Sequence, residues 1–167
     1  MAEMIELKQM QEKVILVGVS TDDHDDTQQS LDELEELAET AGAVTVGRVV
    51  QNLSQIHPVT YVGKGKLDEI KDLLWETEAT GIICDDELSP IQLGNMEDAL
   101  NTKIMDRTLI ILDIFASRAS TNEGKIQVEL AQLKYRQSRL VGLGKSLSRL
   151  GGGIGTRGPG AKKLEMD

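Results

Sequence analysis

Two short strings in this chain combine residue types and spacing that could do chemistry, and two more imitate well-known phosphate sites. Gly63-Lys-Gly-Lys66 sets two cations and two flexible backbone donors just before a helical pattern. That arrangement either holds an anion or simply turns the chain into a charged helix start. Asp85-Asp-Glu87 follows a short apolar run, where open α/β sheets bind their ligands. It reads either as a contact for magnesium or a nucleotide, through Asp85 and Asp86, or as a solvated loop favoured by the dipole of the next helix. Gly144-Lys145-Ser146 copies the tail of a phosphate-binding loop, but Arg139 stands where its leading glycine belongs and a helix precedes it. Gly153-Ile-Gly155-Thr-Arg-Gly158 has dinucleotide spacing without a preceding strand or a downstream ribose acid. Both imitations fail. His24 and His57 have no partner one helical turn away, and the single Cys84 excludes a disulfide framework and a cysteine-based zinc cluster. No catalytic residue, metal ligand or bound cofactor is expected.

The distribution of charge says more. The chain of 167 residues carries 18 Lys plus Arg against 28 Asp plus Glu, a net charge of −10. Residues 1–100 hold 6 basic and 22 acidic side chains, whereas residues 101–167 hold 12 and 6. From Leu130 to Leu164 there are eight cations and no acid: Lys134, Arg136, Arg139, Lys145, Arg149, Arg157, Lys162 and Lys163. Solvated helix faces interleave acids to gain pairs one turn apart, so an acid-free run points to RNA. The only aromatics are Tyr61, Trp75, Phe115 and Tyr135, too few for a base-stacking platform, so phosphate contacts should dominate. No apolar run approaches the length of a membrane span, and a cytoplasmic location is expected.

These residues need elements to place them. Val14 to Val19 is an apolar run typical of a buried parallel strand. Leu31, Leu34, Leu37 and Ala38 recur at helical spacing up to a stop at Gly42, and Ala43 to Val50 reads as a second strand. A helix with Leu67, Ile70, Leu73, Leu74 and Trp75 along it leads to a strand at Gly81 to Asp85. Ser89-Pro90 opens the next helix, Lys103 to Asp106 is a fourth strand, and Leu109 to Ala119 a helix on the sheet. The alternation predicts an α/β fold with an open, mostly parallel four-stranded sheet over residues 1–119. Asn122 to Lys125 reads as a break. Residues 120–167 then form a helical arm whose apolar stripe is Ile126, Leu130, Leu133 and Leu140, with Gln137 between, followed by a basic glycine-rich loop.

Tyr61-Val-Gly-Lys-Gly-Lys66, Asp85-Asp-Glu-Leu-Ser-Pro90, Asp106-Arg-Thr108, Leu112-Asp-Ile-Phe-Ala116, Val128-Glu-Leu-Ala-Gln-Leu133 and Gly151-Gly-Gly-Ile-Gly-Thr-Arg-Gly-Pro-Gly160 occur in this order. Together they resemble the N-terminal region of HflX-type ribosome-associated GTPases. The resemblance implies an α/β domain, then a helical hairpin, then a GTPase domain that would bring GTP and magnesium. It implies action on the large ribosomal subunit, including splitting of stalled ribosomes, with Arg136, Arg139, Lys145, Arg149 and Arg157 as RNA contacts beside Lys134. Two rival roles remain: a nucleotide-binding domain acting through Gly63, Lys64, Gly65, Lys66, Asp85 and Asp86, or a regulatory module for the GTPase domain. Ala161-Lys-Lys163 stands where the family has an acid and Gln, and the chain stops before the return helix of the hairpin. The stripe is therefore expected to pair with another chain through 126–140, to fold onto the body, or to be poorly ordered.

Overall fold

The computed structural model describes residues 11–21 and 26–139. Four strands, β1 (Lys13–Ser20), β2 (Val44–Asn52), β3 (Gly81–Cys84) and β4 (Lys103–Asp106), form one sheet in the order β2-β1-β3-β4. Every pairing is parallel, with Val17 opposite Val49 on one side and Cys84 on the other, and Cys84 opposite Asp106. Five helices complete the fold: α1 (Thr27–Thr40), α2 (Lys64–Thr77), α3 (Pro90–Leu100), α4 (Arg107–Arg118) and α5 (Asn122–Ser138).

The side-chain alternation of each strand splits the core into two layers. Ile15, Val17, Ile82, Cys84 and Ile104 face Leu67 and Ile70 of α2 and Leu93, Met96 and Leu100 of α3. Val14, Leu16, Ile83 and Met105 face Leu31, Leu34 and Ala38 of α1 and Leu109, Ile110 and Ile114 of α4. The chain leaves β1 for β2, then returns past β1 to β3, so the strand order reverses between β1 and β3. Ligands of open α/β sheets bind at that reversal, outside the carboxyl ends of the strands. No helix of the described residues is long and apolar enough to cross a membrane.

Three details depart from the sequence expectation. Trp75 does not join the apolar face of α2; it is 86% exposed, while Leu67 and Ile70 are buried. Asn122 to Lys125 is not a break but the first turn of α5, capped by Thr121, whose Oγ1 accepts from the Gly124 N–H at 2.9 Å. Finally, α5 does fold back onto α4, but not through its stripe. Ile126, Leu130 and Leu133 remain half exposed or more, and Gln132 is the buried residue of the helix.

Candidate functional site

Local sequence places four helix and strand ends at the carboxyl edge of the sheet. Ser89 caps α3 by accepting from the Gln92 N–H at 3.1 Å, and Gln92 Oε1 accepts in return from the Ser89 N–H at 2.9 Å. This reciprocal box fixes where the Asp85–Ser89 loop must end. The Gln92 amide then donates to the His57 carbonyl at 2.9 Å, tying down the turn that precedes α2. Tyr61, in the left-handed region at φ 66°, ends that turn and is 1% exposed. Asp106 ends β4 and caps α4, its Oδ1 accepting from the Leu109 N–H at 3.0 Å.

Each acidic residue of the expected crevice has a partner within the protein. Asp85 Oδ1 accepts from Arg107 Nη2 at 2.9 Å and Nε at 3.2 Å, and Arg107 Nη2 also donates to the Ser30 carbonyl at 2.8 Å. Arg107 thus fastens β3 to α1. Asp86 accepts the Tyr61 hydroxyl at 2.5 Å, and Glu87 accepts from Thr108 at 3.1 Å. The Leu88 N–H donates to Asp106 Oδ2 at 2.9 Å. Burial pushes the Tyr61 hydroxyl far up, with Cys84 and Asp86 adding to the effect, so it stays a donor. Burial also pushes the Cys84 thiol well up, and Asp106 adds to the shift, the opposite of an activated nucleophile.

Gly63-Lys-Gly-Lys66 is likewise engaged in part. The Gly63 N–H donates to Gln51 Oε1 at 2.7 Å, and Lys66 pairs with Glu69 at 2.9 Å. Lys64 and Gly65 are exposed. Among the described residues no three His, Cys, Asp or Glu side chains are grouped to hold a metal ion. The arrangement does not converge on an open anion cradle; it ties loops and helix ends to one another.

The same edge receives the last turn of α5, which the sequence alone does not reveal. Tyr135 donates its hydroxyl to Asp106 Oδ2, and Gln132 Nε2 donates to Asp113 Oδ1 at 3.0 Å. Arg139, expected to face RNA, is turned inward instead and only 8% exposed. Its Nη2 donates to the Leu88 carbonyl at 3.1 Å and lies 3.6 Å from Glu87, and its guanidinium stacks 3.5 Å from the centre of the Tyr135 ring. Of the other expected RNA contacts, Lys134 is exposed and Arg136 half-buried. Lys145, Arg149 and Arg157 lie outside the described residues, as do Lys162, Lys163 and His24.

Comparison with known proteins follows the same strings. The family profile described as GTP-binding GTPase N-terminal matches residues 28–116, and one described as GTP-binding GTPase Middle Region matches residues 118–167. GTPase HflX of Lacrimispora saccharolytica is 72% identical over 167 residues, all of this chain and 40% of that protein. GTPase HflX of Escherichia coli is 43% identical over 157 residues, 93% of this chain and 36% of that protein. The chain therefore spans about two-fifths of the length of these curated relatives. A GTP-binding protein from Sulfolobus solfataricus, solved with GDP, shares the fold at a TM-score of 0.58 and 23% identity, over 93% of this chain and 45% of that one.

Proposed function

The chain belongs to the HflX family of GTP-binding GTPases, matching their N-terminal and middle regions, and from that premise we propose that it is a ribosome-binding region in which an acidic α/β body carries a basic arm to large-subunit RNA. One observation carries the reading. Helix α5 is rooted on the body at its carboxyl end, and its second half already lies within the interval from Leu130 to Leu164, which has eight cations and no acid. Such a segment gains its affinity by releasing counterions from RNA phosphates. Ribosome splitting, a cytoplasmic setting, and GTP with magnesium held by a GTPase domain of the parent protein belong to the same proposal. The rival use of 63–66 with 85–86 as a nucleotide site has less behind it, because Asp85, Asp86 and the Gly63 N–H already have partners.

The test is co-sedimentation of the chain with large ribosomal subunits across a salt series. With about four phosphates contacted, the logarithm of affinity should fall against the logarithm of salt with a slope of roughly −3 to −4. Joint replacement Lys134→Ala, Lys145→Ala and Arg149→Ala should weaken binding at least tenfold. Binding that ignores both salt and these substitutions overturns the proposal.

A further inference from the structure

We propose that Tyr135 and Arg139 are positioning residues that clamp the last turn of α5 to the loop between β3 and α3, setting the direction in which the basic segment leaves the body. The consequence for binding rests on the ribosomal reading above; the clamp itself does not.

Arg139 differs from the exposed Lys134 in that both terminal nitrogens of its guanidinium are engaged within the protein, although its buried Nε has no hydrogen-bond partner among the described residues. Nη1 donates to Ser138 Oγ at 2.6 Å and the Tyr135 carbonyl at 3.3 Å, Nη2 donates to the Leu88 carbonyl at 3.1 Å, and the plane lies over the Tyr135 ring. A phosphate could reach this cation only after the turn comes away from the body. Tyr135 supplies the second half of the clamp through Asp106, which also receives the Leu88 and Leu109 N–H groups. One carboxylate thereby joins the end of β4, the start of α4, the loop after β3 and the end of α5.

These two side chains hold the last turn by directional bonds, one turn beyond the Gln132–Asp113 pair that ties the middle of α5 to α4. The stripe Ile126, Leu130 and Leu133 stays half exposed or more, and Gln132 is the buried residue of α5. Apolar contacts tolerate sliding, whereas a hydroxyl on a carboxylate and a guanidinium N–H on a carbonyl each fix a direction. The salt dependence of binding reads the same assignment separately. A phosphate contact contributes close to one unit to the salt slope, but a cation bound inside its own protein contributes none.

The experiment uses the intact chain with Tyr135→Phe, which removes only a hydroxyl, and Arg139→Lys, which keeps the charge but loses the fork and the stack. Lys134→Ala is the comparison for a phosphate contact, and Arg139→Ala removes the charge at 139 so that the two slopes can be compared. Amide exchange in α5 is read against β1 and β3, and large-subunit binding is measured across a salt series. Tyr135→Phe and Arg139→Lys are each expected to speed α5 exchange about tenfold with the strands unchanged. They should weaken binding several-fold at unaltered slope, and the double variant should show less than the sum of the two effects, because both break one clamp. Lys134→Ala should leave exchange alone and reduce the slope by nearly one unit.

Wild-type exchange in both clamp variants overturns the clamp. A slope that drops in Arg139→Ala as it does in Lys134→Ala overturns the assignment of Arg139 as a positioning residue. If the unaltered chain fails to bind large subunits, the ribosomal reading falls while the exchange comparison still decides the clamp.

Discussion

Asp106 serves three donors with two oxygens: Leu109 at the start of α4, Leu88 in the preceding loop, and the Tyr135 hydroxyl. Burial raises its carboxyl above the ordinary value of 3.8, against the opposing pull of these donors and Arg139. A carboxyl raised on folding holds its proton more tightly in the folded state. Its contribution to stability is full below the unfolded value and is lost as pH rises through the folded one. Asp106→Asn keeps an oxygen for Leu109 but turns an NH2 group toward the Leu88 N–H, donor against donor, at a cost of roughly 1–3 kcal/mol. The variant should therefore unfold at lower denaturant than the wild type. Its deficit should narrow as pH rises from about 4 through the folded value, because only the wild type loses a favourable proton there. Urea titrations at four pH values check this; a deficit that widens over the range contradicts the raised carboxyl.

At the scale of elements, the glycines distinguish positions that pack from positions that only turn. A Cβ on Gly81 would lie 3.0 Å from Met105 Cε and 3.3 Å from the Lys103 carbonyl oxygen, which the β3–β4 pairing holds in place. A Cβ on Gly65, in the first turn of α2, would meet nothing within 4 Å. Gly81→Ala should thus destabilise by about 1–3 kcal/mol, and Gly65→Ala should stabilise by about 0.5–1 kcal/mol through helix propensity. Thermal unfolding of both variants checks the opposite signs. The alternation of apolar runs and helical stripes was enough to read all four strands. Strands β1, β3 and β4 are near-continuously buried, which leaves little room for other patterns, and the half-exposed edge strand β2 was carried by its β-branched run. Gly124 misled for a local reason: glycine usually interrupts a helix, but here a Cβ would come within 2.9 Å of the capping Thr121 oxygen, so the helix start prefers glycine. The packing face of α5 was illegible for a longer-range one. Gln132, Tyr135 and Arg139 find their acceptors at Asp113, Asp106 and Leu88, and residues 19 to 51 positions away leave no periodic trace. The motif strings around Asp85 and Asp106 fall together at the carboxyl edge of the sheet, though residue types alone did not say that their acids would be paired internally.

Across the chain the sequence sets an acidic body against a basic arm, and on the proposed ribosomal reading the body contributes to selectivity by what it repels. Asp68, Asp72 and Glu76 lie one turn apart along the exposed face of α2, with no cation between Asp72 and Glu76. At about 15 Å in water each acts on an RNA phosphate with roughly 0.3 kcal/mol of repulsion, so three together amount to about 1 kcal/mol before screening. That is too little to oppose a correctly placed arm making several phosphate contacts. It is enough to matter for RNA that approaches the body by chance, where there are few favourable contacts to offset it. Joint replacement Asp68→Asn, Asp72→Asn and Glu76→Gln should tighten binding to an unrelated RNA duplex about three- to fivefold at low salt. The effect should vanish near 0.5 M salt, where screening acts over only a few ångströms. Affinity for large subunits should change less than affinity for the duplex, since there the arm supplies the contacts. Filter binding to both RNAs across the salt series measures the ratio, and an equal gain for the two would show that the acids act as a general brake and do not sharpen the choice.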